Sequence, residues 1–128
     1  DLDFDLLYKN LKNHRLWGHH LLPGVPVSHP YPSSEVSWTL KAIGLKNYHD
    51  GMIWGWLTAE AFACAKLMGD DIEANRIFNV YYQSTKNDLF FAEIYTDTDG
   101  QQIKPYKALL YKSESPFSWT AAKWLEAT

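Results

Sequence analysis

Residues 90–100 read FFAEIYTDTDG, and the way this stretch is taken decides the fold. The apolar run Leu89, Phe90, Phe91, Ala92 delivers the acidic side chain of Glu93 to a point where regular structure is expected to stop. Tyr95, Thr96, Asp97, Thr98, Asp99 and Gly100 then read as a polar turn. A carboxylate bracketed by aromatic groups loses water, and desolvation makes it a more usable base. The plainer alternative is a solvated residue at the end of an element.

Upstream, residues 72–86 show an amphipathic helical pattern, with Ala74, Ile77, Phe78 and Tyr81 on one face and Glu73, Asn75, Arg76, Asn79 and Gln83 on the other. Before it, residues 54–68 are apolar nearly all round, which requires a helix surrounded by others. Gly69, Asp70 and Asp71 separate the two as the turn of an αα-hairpin. Ser33 or Ser34 can cap a further helix running to about Ile43, with Gly44 at its C-terminal end. Asn47, Asp50 and Gly51 then favour a turn that feeds the apolar helix. Residues 3–13 carry Phe4, Leu7, Tyr8 and Leu11 at helical spacing, behind Asp1, Asp3 and Asp5, which suit a helix N-terminus. Downstream, residues 101–112 alternate weakly and suit a short hairpin or extended loop. A last helix opens at Ser115-Pro116, with Ser as cap and Pro at the first helical position. The expected class is all-α: αα-hairpins with long aromatic loops and one short β-hairpin.

The chain has 128 residues, a formal charge of −3 and one cysteine. One domain of ordinary size fits this length. Scattered Lys and Arg give no basic stripe, so nucleic acid is not an expected partner. Cys64 lies in an apolar run and reads as a core residue rather than a nucleophile. No apolar run is long enough for a bilayer span and no signal peptide is visible, so no membrane partner is expected and a cytoplasmic location is the default; a cleaved leader would leave no trace. Six Trp, eight Tyr and six Phe are the unusual numbers. Many fall in expected loops, where rings can stack on the apolar faces of sugars. Residues 15–32 hold prolines at 23, 26, 30 and 32 and read as one long loop with Trp17, His19, His20, His29 and Tyr31, beside His14. The adjacent His19 and His20 point different ways and no acidic ligand accompanies them, so neither a metal nor another cofactor is expected.

Three motifs in order carry a resemblance: Tyr48-His49-Asp50-Gly51-Met52-Ile53-Trp54, Phe91-Ala92-Glu93-Ile94-Tyr95, and Phe117-Ser118-Trp119-Thr120-Ala121-Ala122. Together they resemble the C-terminal part of the (α/α)6-barrel, or six-hairpin, glycoside hydrolases, a group that includes glucoamylases, amylo-α-1,6-glucosidases, neutral invertases, trehalases and processing α-glucosidases. The likeness covers roughly residue 44 to the end. Asp50 stands where the family commonly has Asn, and Gly55 where it commonly has Pro. The resemblance implies that residues 1–128 are a single segment, the C-terminal portion of a larger (α/α)6 toroid. The missing N-terminal part, or self-association, would then cover the exposed inner helix.

The resemblance further implies a hydrolase of carbohydrate metabolism that inverts the anomeric centre of an oligo- or disaccharide. Glu93 matches the general base, and the general acid lies upstream of this chain. Trp54 would be a stacking platform. Tyr48, His49 and Asp50 would bond sugar hydroxyls, and Trp119 would stand at the mouth of the last helix, packing beneath Glu93. Glu35, Glu60 and Asp97 are the other carboxylates of interest. The alternative is a carbohydrate-binding or interaction module without chemistry on the same scaffold. A sugar epimerase would call for a catalytic histidine pair and ranks lower.

Overall fold

Ile94–Asp97, whose last three residues the sequence places in a polar turn, is a β-strand. In the computed structural model, which describes residues 3–14, 17, 21–26, 31–87, 91–97 and 100–128, it is the middle strand β2 of a three-stranded antiparallel sheet. Strand β1 (Ile53–Trp54) pairs on one side, with Ile53 opposite Tyr95 and Trp54 opposite Ile94. Strand β3 (Ile103–Pro105) pairs on the other, with Tyr95, Thr96 and Asp97 opposite Pro105, Lys104 and Ile103. The all-α, toroidal expectation is therefore corrected to a mixed helix-and-sheet domain. The physical reason lies in Ile94, Tyr95 and Thr96, β-branched and aromatic residues that pack well on a pleated surface. Tyr95 is fully buried, and its hydroxyl accepts the Ala92 N–H at 2.8 Å. Regular structure starts just after Glu93; it does not end there. Pro105 is tolerated because it closes an edge strand.

Among the described residues there are five α-helices: α1 (Phe4–Lys12), α2 (Trp38–Ala42), α3 (Gly55–Leu67), α4 (Asp71–Thr85) and α5 (Ser118–Ala127). Helix α3 follows β1 without a break and packs on both α4 and α5. Its small residues set the approach: a Cβ on Gly55 would stand 2.7 Å from Thr120 Cγ2 and from the Ala92 carbonyl. The rings of Phe62 on α3, Tyr81 on α4 and Trp124 on α5 form the aromatic centre of the core, with Tyr81–Trp124 centroids at 4.3 Å and Phe62–Trp124 at 5.4 Å. Gly69 turns the chain at φ +70°, and Asp70 caps α4 by accepting the Glu73 N–H at 3.1 Å. The same Asp70 carboxylate accepts Tyr8 Oη and Lys12 Nζ, which ties α1 to the hairpin.

Two boundaries differ from expectation. Residues 33–43 are not one helix: a 3-10 turn (Ser33–Glu35) is followed by extended Val36, and Ser37 then caps α2 through the Thr39 N–H. Ser115 and Pro116, joined by a cis peptide, lie outside the last helix, which begins at Ser118. The Phe117 N–H is taken by the Phe91 carbonyl at 2.6 Å, so the helix entry is held by the segment before β2 and not by a serine cap. Trp17, expected in a loop, is a core residue whose Nε1 donates to Glu73 at 2.7 Å. No helix among the described residues is long and apolar enough to cross a membrane.

Candidate functional site around Glu93

Leu45, Met52 and Ile94 form a second, smaller core cluster, with Tyr48, Trp54, Tyr106 and Tyr111 packed on it. Glu93 sits beside this cluster as the residue before β2, and its backbone is fixed on both sides. Its N–H donates to the Glu114 carbonyl and its own carbonyl accepts the Gly55 N–H, both at 3.0 Å. Its side chain is half-buried. Tyr48 Oη donates to Oε1 at 2.5 Å, and Tyr111 Oη donates to Oε2 at 3.0 Å. Both phenols are pushed up from their ordinary value, first by burial and then by the bond to Glu93 and its charge. They therefore remain protonated donors through the neutral range. Glu114 stands near enough for its charge to act on Tyr111 as well.

The three sequence motifs meet at this point. Tyr48 reaches Glu93 directly, Trp54 pairs with Ile94, Phe117 N–H bonds the Phe91 carbonyl, and Thr120 Oγ1 donates to the Ala92 carbonyl at 3.1 Å. A ribbon of rings runs across them. His49 lies parallel to Trp54 (9°, centroids 5.4 Å), and Trp54 is edge-on to Trp56. Trp56 in turn lies parallel to Trp119 (8°, 4.7 Å). Trp54 is thus backed by His49, and its Nε1 donates to the Tyr48 carbonyl at 3.0 Å. Trp119 is stacked on Trp56 instead of packing beneath Glu93, and it is 51% exposed.

No family model, curated protein or solved structure matches this chain.

Asp50 departs from its expected place. It is buried, and its Oδ2 accepts the Tyr31 N–H at 2.8 Å, so it faces the backbone of the preceding loop. Glu60 is partly exposed and paired with Lys123 at 2.8 Å. Asp97 accepts the N–H groups of Leu21 and Gly100. Burial, with the charge of Glu60, pushes the Cys64 thiol up, away from nucleophile behaviour. His19, His20 and His29 lie outside the described residues, and among the described residues no group of three His, Cys, Asp or Glu side chains is placed to hold a metal ion. Sequence reasoning missed Tyr111 and Trp56 as site residues. Tyr111 comes from a loop that an isolated bridge between Lys107 and Lys112 holds near Glu93, and only that non-local pairing reveals it.

Proposed function

We propose that this chain supplies the base side of a glycoside hydrolase that acts, with inversion, on an oligo- or disaccharide in the cytoplasm. In this reading Glu93 takes a proton from the water that attacks the anomeric carbon. A carboxylic acid outside the three motifs, ~6.5–9.5 Å away across the sugar, protonates the leaving oxygen. The observation that supports the reading is the convergence of three distant motifs on one half-buried carboxylate whose oxygens are each gripped by a tyrosine. A carboxylate offers about four acceptor positions, so two phenol donors orient it and leave room for a water. The neighbouring ring ribbon suits the apolar face of a pyranose.

Glu93→Gln keeps shape and hydrogen bonding but removes the base. Turnover of the susceptible glycoside should fall at least ~10²-fold with KM little changed. Proton NMR of the first-formed anomer reports inversion. Undiminished turnover in the variant rejects the assignment. A second reading, a sugar-binding module without chemistry, is favoured by one observation: the motif's own Asp50 is turned inward onto Tyr31, away from a role as partner acid. Sugar binding with no turnover by any variant, wild type included, selects it.

A further inference from the structure

Beyond β3 the chain makes one more tight reversal, held by the isolated antiparallel bridge between Lys107 and Lys112. It closes where the Ala108 N–H donates to the Tyr111 carbonyl at 2.7 Å. The base of this hairpin is fixed. The Ser113 N–H donates to the Tyr106 carbonyl at 2.8 Å, Tyr106 Oη donates to the Gly44 carbonyl, and Tyr111 Oη donates to Glu93. Ala108 sits so close on Gly44 that no Cβ fits there. The tip is the reverse: Leu109 is 95% exposed and Leu110 68%. A braced frame therefore holds two adjacent leucines out in solvent.

The two segments that meet at Gly44 and Ala108, residues 36–48 and 104–113, carry Lys41, Lys46, Lys104, Lys107 and Lys112 and no Asp or Glu, although the chain as a whole has a formal charge of −3. These lysines are exposed, and none forms an ion pair with a described residue. Lys107 and Lys112 stand opposite each other across the bridge, where like charges repel and work against the fold. Lysines alone would keep a sheet edge from pairing with another chain, but such protection needs no leucines between them. An apolar tip above a ring of cations matches an anionic bilayer: the leucines enter the acyl boundary while the ammonium groups stay at the headgroup phosphates. A nucleic acid would use the lysines and leave the leucines in water. A protein partner would need far more contact area than two leucines provide. We propose that this hairpin docks the protein on an anionic lipid surface, with Leu109 and Leu110 inserted and Lys107 and Lys112 on the phosphates. Surface docking needs no spanning helix and stands apart from the carbohydrate reading of Glu93.

The full chain is sedimented with vesicles of phosphatidylcholine alone and of phosphatidylcholine with ~30 mol% phosphatidylserine, at ~0.1 M salt. Binding to the mixed vesicles should be at least ~10-fold tighter than to the neutral ones and should weaken as salt is raised. Lys107→Gln and Lys112→Gln should each weaken it ~5-fold. Leu109→Ser combined with Leu110→Ser should weaken it at least ~10-fold. All four side chains are exposed, so these variants should keep the wild-type thermal midpoint. Leu67→Ser, at a leucine of α3 that is 87% exposed and outside these two segments, should bind as wild type does. Absence of binding to the mixed vesicles overturns the proposal. So does binding that survives loss of both leucines; equal binding to a DNA duplex would then mark the lysines as a general polyanion surface. A loss in Leu67→Ser as large as that of the double variant also overturns it, because the hairpin tip would not be the contact.

Discussion

Replacing Glu93 by glutamine removes a charge that faces two phenols. Burial, the larger cause, still holds Tyr48 and Tyr111 above their ordinary value, but the contribution of the carboxylate disappears. In an ultraviolet titration of the phenolate band, two tyrosines of Glu93→Gln should therefore ionise at lower pH than in the wild type, while staying above the free tyrosine value of about 10. Identical titration curves would show that Glu93 is not held between them. Of these residues, Glu93 and Tyr48 were legible from the motifs, because the resemblance named their positions. Tyr111 was not, because nothing in Leu109-Leu110-Tyr111 marks which ring turns inward: its two leucines are exposed and its tyrosine is packed. Asp50 was legible as a turn residue, but burial turned its carboxylate toward Tyr31.

At the scale of elements, the junction of β1 and α3 carries the most consequence. At Gly55, α3 lies close to α5 and to the residue before Glu93, so Gly55→Ala forces its methyl against Thr120 and the Ala92 carbonyl. Overpacking of this kind should cost ~1–3 kcal/mol, outweighing the better helix propensity of alanine, and urea unfolding measures it. An unchanged or raised midpoint would contradict the packing described. Trp124→Ala on α5 should cost more, ~3–5 kcal/mol, because it empties the ring cluster with Phe62 and Tyr81. The helices α3 and α4 fall within a residue of their expected bounds, since thirteen and fifteen residues give a helical period room to show. Strands of two, four and three residues do not.

For the whole molecule, titration predicts stability limits on both sides of neutrality. Tyr8, Tyr48, Tyr81, Tyr95 and Tyr111 are all raised, burial first among the causes. A raised group stabilises the fold fully below its unfolded value and loses that contribution as pH climbs toward the folded one. Stability should accordingly fall above about pH 10, by at most ~1.4 kcal/mol per pH unit for each tyrosine. On the acid side, Asp70 is lowered, chiefly by the Lys12 hydrogen bond. At Glu73 burial acts upward, but the Arg76 and Trp17 bonds outweigh it and leave the group lowered. Their stabilisation is present above the usual carboxylate range and is lost as pH falls through the depressed values. Thermal melts from pH 2 to 12 should give a plateau with both shoulders; a flat alkaline arm would mean that the tyrosines are not buried in this way.

The sequence by itself determined the helical hairpin, its turn at residues 69–71 and the aromatic excess, and it singled out Glu93 as a candidate. Each of these is written in local spacing, turn chemistry or a short motif. Only the tertiary structure decided that residues 94–97 are a strand, that Tyr111 shares Glu93 with Tyr48, and that Asp50 serves a loop. The reason is that strand pairing and side-chain direction are set by partners 18 to 65 residues away, such as Glu93 for Tyr111, Ile53 for Tyr95 and Thr120 for Gly55. No local pattern encodes a partner at that distance.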